Sequence, residues 1–353
     1  MLSSSILPRL SFSATVRLRT WKKLSAQVRH GLNLSQSLKQ MQARAAAQRS
    51  PTAVVFAQVS DYLGRGHNLG ASLTGFATPE EIMLISSGQR AGRLPEGLDL
   101  AAGLLAARQT ILRAVAGALI YPAFLMAMVA VVLLVVSVLV MPKLAMLSDP
   151  TAWHGPAALM YMATSFVTSP FGVATFVLLL AGLAAILITL PRWTGRWRLS
   201  VEQIPPWSIY RLTVGCVWLY TLSTLMRSGM QLTHIFDSMM NSDHITAYLR
   251  ERVALVAQET GTGKNLGEAL FSCGMEFPDS ELVEDLRVYA SLPGFHVTLH
   301  NLAEEWLVEG VEHVKRQARI LNVVAIIMLS GIVSLIAASI GSLQSQLIPA
   351  GGF

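Results

Sequence analysis

The sequence predicts an all-α, polytopic membrane protein with two homologous cytoplasmic helical-bundle modules and three transmembrane helices. Three observations predict it. Long uncharged apolar runs occur three times, one pattern of glycines and capping residues occurs twice, and the arginines flanking the runs lie on one side of them. The bulk composition agrees, with 52% hydrophobic and only 14% charged residues and a mean hydropathy of +0.49.

The apolar runs set the organisation. No charged residue lies between Arg113 and Lys143, and a helix needs about 20 apolar residues to cross the hydrocarbon core. The first span is therefore placed at 113–141, the second at 171–190 and the third at 320–343. Arg108 and Arg113 precede the first, Arg192, Arg196 and Arg198 follow the second, and Lys315, Arg316 and Arg319 precede the third. The loop 142–170 holds only Lys143 among basic residues. By the excess of lysine and arginine on the cytoplasmic side, residues 1–112 and 191–319 are expected in the cytoplasm, and 142–170 and the tail 344–353 in the periplasm. The first twenty residues lack a continuous apolar core, so no cleavable signal peptide is expected. Their arginine- and serine-rich, acid-poor character also fits a transit peptide, but the first repeat begins inside this region.

The repeat emerges from a stretch that resembles a phosphate-binding loop. Glu259–Leu270 reads ETGTGKNLGEAL, whereas that loop requires Gly, four residues, then Gly-Lys-Ser/Thr. Asn265 follows Lys264 and Gln258 stands where the first glycine belongs, so both ends fail. Gly64–Leu73 carries the same G-x-G-x-N-L-G-x-x-L pattern with His67 in place of the lysine, which leaves no shared phosphate ligand. Upstream, Arg29–Ser35 aligns with Arg227–Thr233. Downstream, Phe76 and Pro79 align with Phe277 and Pro278, and Gly92 with Gly294.

Each copy reads as helices joined by glycine corners. The corner residues are Gly31, Gly64, Gly66, Gly70 and Gly92 in the first copy, and Gly229, Gly261, Gly263, Gly267 and Gly294 in the second. Glycine suits positions that need positive φ or close packing. Ser35 is expected to cap a second helix, with Thr233 in the same role in the other copy. A third helix is expected from Thr52 to about Arg65, and a short fourth piece from Asn68. Thr78-Pro79-Glu80-Glu81 predicts a capping box with proline in the first turn. The last helix of each copy, from near Leu94 and near Phe295, should run straight into a span.

These residues resemble the type II secretion system F domain family, whose members are inner-membrane platform proteins of type II secretion systems and type IV pili. The matching elements are R-x-G-[LM]-[NQ]-L-[ST], G-x-N-L-G-x-x-L, F-x-x-P and Ser87–Leu94, in order, duplicated, and placed against the spans over roughly Thr15–Leu343. The resemblance implies a non-enzymatic platform in the bacterial inner membrane, N-terminus cytoplasmic and C-terminus periplasmic. Its implied partners are a cytoplasmic assembly ATPase, pilin or pseudopilin subunits, other inner-membrane assembly proteins, membrane lipid and further copies of itself, with no cofactor and no nucleic acid. The short N-terminus is closest in character to plasmid- or bundle-type pilus members. Where the family has G-E-x-x-G-x-L, this chain reads Gly88-Gln89-Arg90-Ala91-Gly92-Arg93-Leu94, and its second copy keeps only Gly294. The resemblance therefore does not carry over any cation contact or ion pair that this glutamate makes in relatives.

Other chemistries find little support. A transporter or channel, the alternative reading, needs intramembrane ionisable groups, and none falls within 114–141, 171–190 or 320–343. In the third span, Ser330, Ser334, Ala338 and Gly341 instead form a small-residue face suited to helix packing. His296, His300 and Glu304 share a helix face, but at ~1.5 Å rise per residue they spread over about 12 Å, so an exposed polar stripe is expected rather than a metal site. No catalytic arrangement emerges from spacing. Cys216 and Cys273 lie in a module assigned to the reducing side, where a disulfide is not expected. The first sixty residues contain no acid and read as a solvated basic face. The second copy leans acidic through Glu281, Glu284, Asp285, Glu304, Glu305 and Glu309. The two copies are thus expected to offer different surfaces, and Arg65, Arg90 and Arg93, at or near corners, are the candidate docking residues.

Overall fold

The computed structural model describes residues 11–146, 150, 153–242 and 245–347, and among them every regular element is helical. The first copy runs α1 (Ala14–Arg29), α2 (Leu34–Ala47), α3 (Thr52–Gly64), α4 (Leu69–Ser72), α5 (Pro79–Arg90) and α6 (Leu94–Val135). A π-helical turn, Val136–Val140, continues α6 into α7 (Met141–Ala145). Then come α8 (Pro156–Thr168), α9 (Pro170–Thr189) and α10 (Arg196–Val201). The second copy follows as α11 (Trp207–Arg227), α12 (Leu232–Met240), α13 (Ala247–Gly261), α14 (Leu266–Ser272), α15 (Ser280–Tyr289) and α16 (Phe295–Leu347). Helix by helix, α11–α16 repeats α1–α6.

The chain divides into two units: Met1–Arg113 with Trp193–Val311, and Ala114–Arg192 with Glu312–Phe353. Within the first unit the two copies share one core. It runs from Trp21, Leu24 and Leu84 in the first copy to Trp218, Leu222 and Leu286 in the second. Polar contacts join the copies, with the Ser87 hydroxyl donating to Ser228 O at 3.1 Å and Ser238 to Met83 Sδ at 3.0 Å.

The repeated G-x-G-x-N-L-G motif divides its labour. Gly66 (φ +86°) and Gly263 (φ +94°) take the left-handed conformation that ends the preceding helix, where a Cβ is disfavoured. Asn68 and Asn265 cap the next helix, accepting from Ala71 N and Glu268 N. Gly70 and Gly267 let that short helix touch the following one: a Cβ on Gly267 would lie 2.3 Å from Leu286 O. Gly64 and Gly261 are ordinary last helical residues with open space around them, so neither corner requires glycine there. A further close approach escaped the sequence reading, since a Cβ on Gly88 would meet Gly97 Cα at 2.7 Å.

The capping box at Thr78 forms as expected, and Glu81 does more. Its fully buried carboxylate accepts from Trp21 Nε1 at 2.7 Å and from Arg17 Nε at 3.1 Å. Several expectations are corrected. Asn33, not Ser35, caps α2, because its side chain reaches Ser35 N at 2.9 Å. Gln231, not Thr233, precedes α12, with no side-chain cap bond. Pro79 opens α5, whereas Pro278 lies before the cap Asp279, so the two prolines are not equivalent. Arg198, read as a span-flanking charge, is buried beside Glu202, which also accepts from Arg252 at 2.8 Å.

Among the described residues, three helices are long and apolar enough to cross a membrane, Leu94–Ala145, Pro170–Thr189 and Phe295–Ser342; the first and third start in the first unit and continue into the second. Their apolar side chains face outward, including Phe124, Leu178 and Ile327, as lipid contact requires. The segment 142–170 is more than a loop. It contains α8, whose Ala157 and Met160 are buried with Val136, Met141 and Trp153. The small-residue face of the third span is not the packed one: Ser330, Ser334, Ala338 and Gly341 are exposed, while Leu335 and Ile336 pack on that cluster and Ser339 donates to Pro156 O. Packing here is decided by where α8 lies, which residue size does not reveal.

The division of labour in the motif is testable by an alanine series on the purified full-length chain. Gly261→Ala should be neutral or stabilising by up to ~1 kcal/mol, because it is helical and unobstructed. Gly263→Ala should cost about 1–2 kcal/mol for its left-handed backbone, and Gly267→Ala about 1–3 kcal/mol for overpacking. Unfolding midpoints that place Gly267→Ala at or above Gly261→Ala would refute the assignment.

Candidate functional site

The three candidate docking arginines lie on two corners that the structure joins. Gln89 accepts from Leu69 N at 2.7 Å, tying the start of α4, just after Arg65, to the end of α5, just before Arg90. The Gln89 amide thus serves as a backbone cap. The three arginines differ in what they have left to offer. Arg65 pairs with Asp61 at 2.6 Å and lies over the Tyr62 ring, and Arg93 pairs with Glu96 at 3.3 Å. Arg90 is exposed and forms no ion pair among the described residues. Exposed pairs contribute about 0–1 kcal/mol and exchange readily, so Arg65 and Arg93 remain available at the cost of a weak bond.

The corner glycines shape these surfaces. Gly31, Gly92, Gly229 and Gly294 have φ between +70° and +87°, each reversing the chain between two helices.

The basic face of the first copy is smaller than the sequence implies. Arg17 is consumed by Glu81, Arg29 by Asp99, and Arg108 by Glu80 at 3.3 Å. Glu81 and Asp99 lie beyond the acid-free first sixty residues and neutralise Arg17 and Arg29 by tertiary contact, whereas Arg108 pairs with the earlier Glu80. Lys22, Lys39 and Arg49 stay exposed and without an ion pair among the described residues, and three further basic residues are grouped. Arg19, Lys23 and Arg44 surround a cleft of about 290 Å³ whose floor includes Met41, Ala45 and Phe56. None of the three forms an ion pair among the described residues. No local pattern marks them, because α1 contributes two and α2 the third.

On the second copy, Glu281, Glu284, Glu305 and Glu309 are exposed and also free of ion pairs among the described residues. The sign difference between the copies therefore survives folding. Lys264 is spent locally, on Glu259 at 2.5 Å and Ser272 at 2.9 Å, and does not stand over an open backbone cradle.

The histidines fare differently from the polar stripe expected of them. His296 is exposed, but His300 is buried, with its Nδ1 3.3 Å from Ser223 Oγ and its Nε2 3.5 Å from Glu304 Oε1. This line-up of serine, imidazole and carboxylate resembles a nucleophilic triad only in order. Ser223 is fully buried and donates to Tyr220 O at 2.9 Å, so no substrate reaches it. Among the described residues, no three His, Cys, Asp or Glu side chains come together as metal ligands. Both cysteines are free, and burial pushes the Cys216 thiol up to about 12.

Burial and then Arg227 hold the His300 pKa below its ordinary value, against the opposing pull of Glu304. The folded chain thus keeps this imidazole neutral where the unfolded chain, with a pKa of about 6.5, takes up a proton. Stability from this site is complete above that pH and falls as pH drops through it. The unfolding midpoint of the wild type should therefore decline more between pH 7.5 and 5.5 than that of His300→Gln. Parallel declines would show that His300 is not the group responsible.

No curated protein matches this chain. The family description that does match is "Type II secretion system (T2SS), protein F", over residues 21–142 and again over 218–342. The two matched segments fall on the two structural copies, each reaching from its first helix through the apolar helix that follows. Together they cover well over half of the sequence, and the chain belongs to the type II secretion system protein F family.

Proposed function

We propose that the chain docks a cytoplasmic assembly ATPase through its helical copies and couples it to the movement of pilin or pseudopilin subunits from the bilayer into a growing filament. Family membership makes it a multi-pass inner-membrane platform component of type II secretion or type IV pilus machinery; the docking and the coupling are the proposal. One observation carries it. The family segment occurs twice, and the two copies present unpaired charge of opposite sign: Arg19, Lys23, Arg44 and Arg90 on the first, and Glu281, Glu284, Glu305 and Glu309 on the second. Such surfaces select partners and speed encounter more than they add affinity, and over about 8 Å at physiological salt they are screened.

On this reading the basic copy meets an acidic face of the cytoplasmic machinery, and energy comes from the partner. Arg65, Arg90 and Arg93 form one part of the contact and the Arg19–Lys23–Arg44 cleft another. Copies of the chain associate in the membrane, with the N-terminus cytoplasmic and the C-terminus periplasmic.

Two experiments test this. Reporter fusions after Gln48 and after Gln258 should report cytoplasm, and one after Trp153 periplasm; a periplasmic signal at either copy would overturn the arrangement. Reversing Arg90 and Arg93 to Glu should reduce recovery of the ATPase in pull-downs at low and physiological salt, while membrane insertion stays normal. Equal recovery at both salts would remove these arginines from the contact.

A further inference from the structure

Between the two copies, wholly within the first unit, lies a cavity of about 310 Å³. Its apolar wall includes Leu112 from the first copy and Val214, Val217, Met239 and Leu249 from the second. Lining threonines add little polarity, since Thr213 and Thr221 donate their hydroxyls to Ile209 O and Val217 O of their own helix. One charged feature breaks the wall, the Glu80–Arg108 pair at 3.3 Å. It is partly buried and incompletely satisfied: Glu80 Oε2 and Arg108 Nε are inaccessible and have no hydrogen-bond partner among the described residues, and neither has Trp218 Nε1 in the same lining. Burial alone would raise the Glu80 pKa, but Arg108 and local hydrogen bonds hold it below its ordinary value, so the carboxylate stays charged.

An apolar cavity carrying an acid and a base side by side is complementary to a molecule with an apolar body and a zwitterionic head. Its lip also identifies the source. Leu112 is 61% exposed, and two residues further along the same helix begins the uncharged apolar run Ala114–Met141. We propose that this cavity binds a zwitterionic phospholipid of the surrounding bilayer. The acyl chain fills the space between the copies, the phosphate faces Arg108, and the ammonium faces Glu80. Such a lipid would act as a wedge between the copies, independently of any ATPase contact.

The test uses the full-length chain purified in detergent and depleted of lipid. It is titrated with phosphatidylethanolamine carrying brominated acyl chains, and separately with the phosphatidylglycerol analogue. Quenching attributable to Trp218, read as the difference between wild type and Trp218→Phe, should saturate with phosphatidylethanolamine at lower concentration than with phosphatidylglycerol. Val217→Trp fills the cavity, and because each excluded methylene lowers affinity about fourfold, it should abolish saturable quenching. Glu80→Gln with Arg108→Gln removes both charges without adding bulk to the cavity and should erase the headgroup preference while leaving chain binding. That charge-neutral variant keeps the test decisive if Val217→Trp does not fold. Quenching by both lipids that is equal in the wild type, or unchanged in the charge-neutral variant, would overturn the proposal. So would binding of glycerophosphoethanolamine, the free headgroup, as tightly as the intact lipid.

Discussion

The first copy is assembled around one buried carboxylate. Glu81 is completely removed from solvent, yet it accepts from Trp21 Nε1, Arg17 Nε and Thr78, joining α1 to the start of α5. A buried charge is tolerable only when paired and hydrogen-bonded, so these partners form a set: removing one leaves the others unsatisfied in a dry environment. The same residue also closes the capping box. One side chain therefore ends a turn, starts a helix and fixes a helix pair.

The second copy links the corresponding two helices through a more exposed pair, Arg211 to Asp279 at 3.8 Å, around an apolar centre. Leu219 and Leu282, which occupy the positions of Trp21 and Glu81, are both fully buried, and Asp279 takes over the capping of α15. Well-packed apolar pairs are often as stabilising as a buried ionic cluster, so one backbone plan admits both solutions. The charge spared there reappears nearby, where Arg198, Glu202 and Arg252 are buried together against Tyr248. What the copies hold in common is backbone geometry: positive-φ glycines at matching corners, asparagine caps, and a glycine where one helix touches the next.

Charge also separates the surface from the sequence. The acid-free first sixty residues suggest a broad basic face; Glu81 and Asp99 fold back to neutralise Arg17 and Arg29, while Arg19, Lys23 and Arg44 gather at one cleft. Focused charge with an apolar floor discriminates among partners better than a diffuse field, because a bound acidic group is partly desolvated and less screened by salt. The second copy also spends acids internally, Glu202 on Arg198 and Arg252, Asp279 on Arg211 and Glu259 on Lys264, yet Glu281, Glu284, Glu305 and Glu309 remain exposed on α15 and the first part of α16.

The sequence by itself determined much of what is local in its physics, though not which residue caps α2 or α12. Uncharged length marked the apolar helices, the capping box at Thr78 followed from adjacent residues, and the duplicated G-x-G-x-N-L-G placed matching corners, since φ preference and capping act within a few residues. The tertiary structure alone decided which partners meet across long stretches of chain. Gln89 caps Leu69, Glu80 meets Arg108, Arg198 is drawn inside, and His300 is buried beside Ser223. It also decided that α8 packs in what reads as a connecting loop and that the small-residue face of the third span points outward. Those outcomes depend on which helix faces are opposed, and periodicity shows that a face is apolar without showing what it will be buried against.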